Sequence, residues 1–324
     1  MTLTALAPEK AVSDHFHEAV MADQVLEFLA PANDGAYLDA TVGGGGHTRR
    51  ILEACGTCSV VAVDRDARAL SEAAGSLGDL IHRIRFLEGS FEGVAQSLVE
   101  AEPGSFAGAL LDLGVSSHQL DEDARGFAFR RGVPLDMRMS GDADDLPSAA
   151  SLLNEADEES LRKIFREYGE EPRAGRLARE VVRRRAKLPF ATSDELVAAL
   201  SATLDRAPSQ RDKARIFQAV RIAVNGELEA LELALPRIRD LLVDGGTLVV
   251  IAYHSLEDRA VKLAFREWSA SCVCPPRLPM CACRGKALGR TLTSKPWRPT
   301  DAEVASNSRS RSARLRAWRK VGKA

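Results

Sequence analysis

Through its first third the chain alternates short apolar runs with segments of helical period. Runs at Ala36–Thr41, Ser59–Asp64, Ile84–Leu87 and Gly108–Leu113 predict strands. Between them, Thr48–Ala54 and Ala67–Leu77 predict helices, and Ala19–Leu29 predicts one before the first strand, with Val20, Val25, Leu26, Phe28 and Leu29 on its apolar side. Strand and helix in alternation imply a parallel sheet with crossover helices. The alternation then stops. From about Arg130 to Leu235 the pattern is helical and strongly charged, and Thr192–Ser193 before Glu195 reads as a helix start. Sheet-like sequence returns at Gly245–Tyr253, and Ala287–Thr293 and Ala313–Lys320 predict two last strands. The expectation is an α/β domain built from residues 1–129 and 236–324, interrupted by a helical insertion, 130–235, between strands four and five.

At 324 residues, 45% hydrophobic and 28% charged, the chain has the composition of a folded globular protein. No apolar stretch reaches bilayer length and the N-terminus carries no secretion signal, so a cytoplasmic protein with no membrane partner is expected. The net charge of -2 hides a strong asymmetry. Residues 142–159 hold seven acids and no Lys or Arg, whereas residues 284–324 hold twelve basic residues against two acids. A second basic cluster, 162–187, includes Arg183, Arg184 and Arg185. Such runs are either solvated helix faces or surfaces for a polyanion. Six cysteines form a CxxC (Cys55, Cys58) and a CxC-x6-CxC (Cys272, Cys274, Cys281, Cys283). The second group invites zinc, but its spacing is tighter than the usual CxxC knuckle. Reduced thiols in a Pro-rich loop are therefore the expectation, and no metal is assigned.

The sharpest local feature is Tyr37–Thr48, a strand, a glycine-rich turn (Gly43–Gly46) and a helix start. Glycines there let the backbone approach a ligand. A dinucleotide fingerprint needs a third glycine, yet Thr48 or Arg49 stands in its place, and no Walker lysine follows. What fits is an acid in the first strand, Asp39, and a second acid, Asp64, ending the next. A carboxylate at that strand end can accept from both ribose hydroxyls of a nucleoside. Without a pyrophosphate to hold, S-adenosylmethionine is such a nucleoside cofactor. Phe91, after the third strand, is placed to cover an adenine or simply to fill core. Asp112, ending the fourth strand, points at the ligand crevice.

These residues resemble the bacterial ribosomal RNA small-subunit methyltransferase H family (RsmH, formerly MraW). Colinear motifs carry the resemblance over nearly the whole chain: DATVGGGGHT (39–48), LLDLGVSSHQLD (110–121), RGFAFR (125–130), PLDMRMS (134–140), RIFQAVRIAVNGEL (215–228), IAYHSLEDRAVK (251–262) and NSRSRSARLRA (307–317). The resemblance implies a Rossmann-like class I methyltransferase sheet that uses S-adenosylmethionine to methylate N4 of a cytidine in the decoding (P-site) region of 16S ribosomal RNA. The expected partner is 16S ribosomal RNA, within the small ribosomal subunit or as naked RNA, and a homodimer is left open. Cofactor contacts carried over are Gly44, Gly45, Gly46, His47, Asp64, Phe91, Asp112 and Gln119. Candidate catalytic residues are Asp112, Tyr253, His254 and Ser255: Asp112 as acceptor for the amine, Tyr253 to stack on the base, His254 to orient it or take its proton. The chain departs from the family at Arg211–Asp212–Lys213, Tyr253 (commonly Phe), Ser140 (commonly an acid) and His118 (often Pro). Arg183–Arg185, Arg309, Arg311, Arg314 and Arg316 are the expected phosphate contacts. The rival readings are a methyltransferase for another nucleic acid and a non-catalytic ribosome assembly factor with a retained cofactor fold. A DNA amino-methyltransferase would usually carry [DNS]-P-P-[YFW] where Asp112–Leu113–Gly114–Val115 stands.

Overall fold

The structure, a computed structural model, describes residues 19–114, 122–140, 146–275, 280 and 282–322. Its centre is a seven-stranded sheet of β1 (Ala36–Asp39), β2 (Ser59–Asp64), β3 (Ile84–Glu88), β4 (Phe106–Asp112), β5 (Leu242–Ala252), β6 (Gly289–Thr291) and β7 (Arg314–Lys320). The order is β3-β2-β1-β4-β5-β7-β6. The first five strands are parallel, and β7 runs antiparallel to both neighbours. This is the Rossmann-like class I arrangement, and its topological switch point lies between β1 and β4.

Helices α1 (Ala22–Leu29), α2 (Gly46–Glu53) and α3 (Ala67–Leu77) cover one face. Helices α4 (Phe91–Ala101), α10 (Glu227–Leu241) and α11 (Ser255–Ser269) cover the other. With both faces covered, β5 reads as a continuous apolar run rather than an alternation. Leu248 and Val250 enter one core and Val249 and Ile251 the opposite one. At the far edge Trp318 packs with Phe265 and Trp268. A Cβ on Gly289 would lie 2.2 Å from the Trp318 ring, so only glycine lets β6 approach β7. Cys55 and Cys58, just beyond α2, are joined as a disulfide.

The helical insertion holds α5 (Ala149–Glu155), α6 (Glu158–Glu167), α7 (Ala174–Arg185), α8 (Ser193–Thr203) and α9 (Gln210–Asn225), around a third core running from Phe127 to Val224. Thr192 and Glu195 form the capping box that starts α8. Gly226 separates α9 from α10. Leu231, Ala234, Leu235 and Ile238 of α10 lie in the sheet's core, and Gly226 makes the break in left-handed conformation, φ 61°. Asn225 ties the insertion's two ends together. Its side chain accepts from Met139 N and donates to Met137 O, both at 2.8 Å.

Candidate active site

Carboxyl ends of parallel strands line the crevice of such a sheet, and here β1, β2, β4 and β5 each deliver a polar group to it. After β1 the chain turns through Gly43 (φ 50°) and Gly45 (φ 86°) into α2. Gly43 N donates to Asp64 Oδ2 at 3.0 Å and Asp66 N to Asp64 Oδ1 at 3.0 Å, which locks the β2 end against the glycine turn. Burial pushes the Asp64 carboxyl above its ordinary pKa, opposed by those backbone donors. Asp39 is fully buried and holds the turn from beneath, accepting from Thr48 Oγ1 at 2.7 Å and Thr41 N at 3.3 Å. Its desolvation likewise raises its pKa. Thr41 reaches across the switch point, its hydroxyl oxygen accepting from Asp112 N at 2.7 Å.

Asp112 is the hub. Tyr253 Oη donates to its Oδ1 at 2.8 Å, and His47 Nε2 stands 3.4 Å from its Oδ2. Burial alone would lower the His47 pKa. The hydrogen bond and charge of Asp112, with Asp39 and Glu303 behind them, outweigh it and raise the imidazole above its ordinary value. Tyr253 moves further: burial, then the Asp112 charge, push the phenol well above its ordinary range, so it stays a donor. Gly114 (φ +120°) leaves room for that ring, since a Cβ there would lie 3.2 Å from Tyr253 Cδ2.

His254 is placed differently from its neighbour. It is the N-cap of α11, with Nδ1 accepting from Glu257 N at 3.3 Å and Nε2 standing 2.9 Å from Glu257 Oε1. The ring is 8% exposed. Burial would raise the Glu257 pKa, but His254 and then Arg221 hold it below the ordinary value. Arg221, at the end of the insertion, is itself bound by Glu227 at 2.8 and 2.7 Å. The His254 side chain thus belongs to a buried polar junction between the insertion and the β5 end. Ser255 opens α11, its hydroxyl 3.5 Å from Glu170 Oε2 of the insertion. Phe91 starts α4 and packs, half-buried, against the α4–α10 core. Gly44 and Gly46 lie in the turn and at the first position of α2. Gln119 lies outside the described residues.

Three groups that sequence reasoning did not single out complete the site. The Asp66–Arg125 pair, 3.0 Å and nearly solvent-free, joins the β2 end to the RGFAFR segment. Arg125 also donates to Met139 O at 2.5 Å. Glu303, from the C-terminal helix α12 (Asp301–Ser306), accepts from Met21 N at 2.7 Å and adds its charge to His47 and Tyr253. Only motif membership flagged Arg125, and nothing local flagged Glu303.

The expected phosphate contacts divide. Arg316 is 6% exposed, its guanidinium spent on Asp258 of α11 at 2.6 and 3.2 Å, so it is a core residue and not a phosphate contact. Arg185 caps α5 through Leu153 O and Ala156 O at 2.9 and 2.6 Å. Arg183 and Arg311 are exposed, the former beside Glu180. Arg309 and Arg314 are half-buried, Arg314 3.9 Å from Asp258.

The residues present fit S-adenosylmethionine. A Cβ built on Gly43 meets nothing within 4 Å, so the turn has open space above it. Buried His47 Nδ1 has no hydrogen-bond partner among the described residues, a group left for a ligand. Asp64 ends β2 beside that turn, its carboxylate oriented by backbone donors from Gly43, Asp66 and Arg65. Sheet order, glycine turn and strand-end acids together define a class I methyltransferase with S-adenosylmethionine as methyl donor. The chain belongs to the MraW methylase family, which matches residues 14–321. It is 52% identical over 310 residues to the ribosomal RNA small subunit methyltransferase H of Gemmatimonas aurantiaca, covering 94% of this chain and 95% of that protein. The proteins of the same name from Pelobacter propionicus and Heliobacterium modesticaldum are each 44% identical over 310 residues, covering 94% of this chain and 98% of each.

Proposed function

We propose that this protein methylates N4 of a cytidine in the decoding region of small-subunit ribosomal RNA. The relatives named above support ribosomal RNA as substrate, and the motif resemblance supports the cytidine amine. The observation that carries the chemistry is the Asp112 carboxylate, fixed between Tyr253 and His47 at the switch point. When bound, S-adenosylmethionine supplies an electrophilic methyl group. Gly44, Gly45 and Gly46 would cradle it, Asp64 accept from its ribose, and Phe91 border its adenine; the resemblance adds Gln119 to the cofactor contacts.

Cytosine's exocyclic amine is a poor nucleophile because its lone pair is delocalised into the ring. Asp112, accepting a hydrogen bond from an amine proton, draws that nitrogen toward tetrahedral geometry. His47 Nε2, 3.4 Å from Asp112 Oδ2, and the Tyr253 hydroxyl on Oδ1 hold the carboxylate in place for that contact. The Tyr253 ring offers a face for a base turned out of its stack. Positioning supplies much of the rate, since effective molarities of well-oriented partners reach roughly 10⁵ M or more. The amine proton becomes acidic only as the new bond forms, so no strong base is needed beforehand. Ser255 and His254 set the β5–α11 turn that holds Tyr253.

The test is incubation of the purified protein with radiolabelled S-adenosylmethionine and small subunits from cells lacking the enzyme, followed by digestion to nucleosides. Label in N4-methylcytidine is expected. Label in another nucleoside overturns the cytidine assignment, and cofactor binding without any label overturns the activity.

A further inference from the structure

Between α11 and β6 the chain runs from Ala270 to Leu288 without a described helix or strand. Loops of this length inside a compact domain are uncommon unless something holds them. In this one, Cys272, Cys274 and Cys283 bring their sulfurs within 4.8 Å of one another. We propose that these three thiolates bind a structural zinc ion that staples the loop, a site the methyltransferase chemistry does not use.

Three observations carry it. First, zinc–thiolate bonds of about 2.3 Å in a tetrahedron put neighbouring sulfurs about 3.8 Å apart. Cys272 Sγ and Cys283 Sγ stand 3.8 Å apart, not bonded to one another. Second, backbone N–H groups point at the sulfurs: Val273 N donates to Cys283 Sγ and Ala282 N to Cys274 Sγ, both at 3.3 Å. Each donor comes from the opposite arm of the loop, so the backbone already orients the sulfurs toward one another. Third, the arms are already anchored at their base. Arg284 donates to Ala270 O at 3.3 Å and pairs with Glu267 at 3.1 Å, so the cluster does not depend on the metal to bring its halves together. The sequence supplies a fourth thiol, Cys281, in the same CxC as Cys283. The tight CxC spacing that argued against zinc is offset by pairing across the loop, one cysteine from each CxC meeting the other at 3.8 Å.

An all-sulfur set selects a soft ion, and tetrahedral thiolate geometry favours zinc. The role is structural. At 1.5 Å per residue, the fifteen residues of α11 separate the loop from the Tyr253 end by about 22 Å.

The full chain, purified under reducing conditions from zinc-supplemented cells, is expected to carry equimolar zinc by elemental analysis. After chelation, titration with cobalt(II) chloride should produce a thiolate-to-cobalt charge-transfer band and the visible bands of tetrahedral cobalt, saturating at one equivalent. Cys272→Ser and Cys283→Ser should each lose most of the zinc while cofactor binding persists. Cobalt without a charge-transfer band in the reduced wild-type chain overturns the proposal, as does a Cys272–Cys283 disulfide with substoichiometric zinc. The cobalt experiment uses the wild-type chain, so it stands even if a serine variant fails to fold.

Discussion

Asp112 divides its two oxygens between Tyr253 and His47, and the Tyr253 position tests what each part contributes. The hydroxyl orients the carboxylate, whereas the ring offers a surface for the base. Tyr253→Phe keeps the ring and is expected to cost no more than about tenfold in kcat/KM, near the lower end of a hydrogen bond to a charged group. Tyr253→Ala should cost substantially more, because the ring also packs over Gly114. Equal losses in single-turnover assays would assign the role to the hydroxyl. At His254 the question is cap against chemistry. Both His254→Ala and His254→Asn remove the ring, but Asn restores a side-chain acceptor at the N-cap, and loss of a cap costs about 1 kcal/mol. If His254 acts by holding the β5–α11 turn, the Asn variant recovers turnover and melting temperature together. Recovery of stability without turnover would place the imidazole in the transfer step.

At the scale of elements, the sequence was most legible where one segment determines its own structure. β2 runs over Ser59–Asp64 as the apolar run predicts, and α3 over Ala67–Leu77. The C-terminal strands fall inside their predicted stretches. The glycine turn, Asp64 and Asp112 were legible because strand ends in such a sheet have fixed positions relative to the crevice. Arg316 was not, because charge type says nothing of partners. Its place in β7 opposite Asp258 depends on how α11 crosses the sheet. The break between α9 and α10 is hard to see for a related reason: helical period continues across Gly226. These assignments change what neutralising the arginines should do. Arg183→Gln with Arg311→Gln is expected to lower the salt dependence of ribosomal RNA binding by about 0.7 for each phosphate that is no longer neutralised. Arg316→Gln should instead lower the melting temperature, since it strands Asp258 beside a half-buried Arg314. Filter binding across a salt series and thermal denaturation separate the two. An unchanged slope in the double variant would make both residues ordinary surface.

Over the whole molecule, the sheet's central pair joins β4 and β5 across everything between Asp112 and Leu242. Closing so long a flexible loop is an entropic cost that grows with its length, and non-local pairing slows folding. The Asn225 clasp alters that problem. Once the insertion has formed its own core, Asn225 holds Met137 and Met139 against the last turn of α9, so the ingoing and outgoing chains leave it side by side. A folded insertion therefore acts as a short hinge rather than a long tether, and β5 has only α10 to lay down before it finds β4. On that reasoning the clasp is expected to speed the pairing of β5 with β4. Asn225→Ala should slow the refolding phase that reports Trp268 and Trp318 burial while leaving early helix formation intact, as stopped-flow fluorescence and circular dichroism would reveal. A variant that unfolds faster but refolds at the wild-type rate would show that the clasp closes only after the sheet has formed.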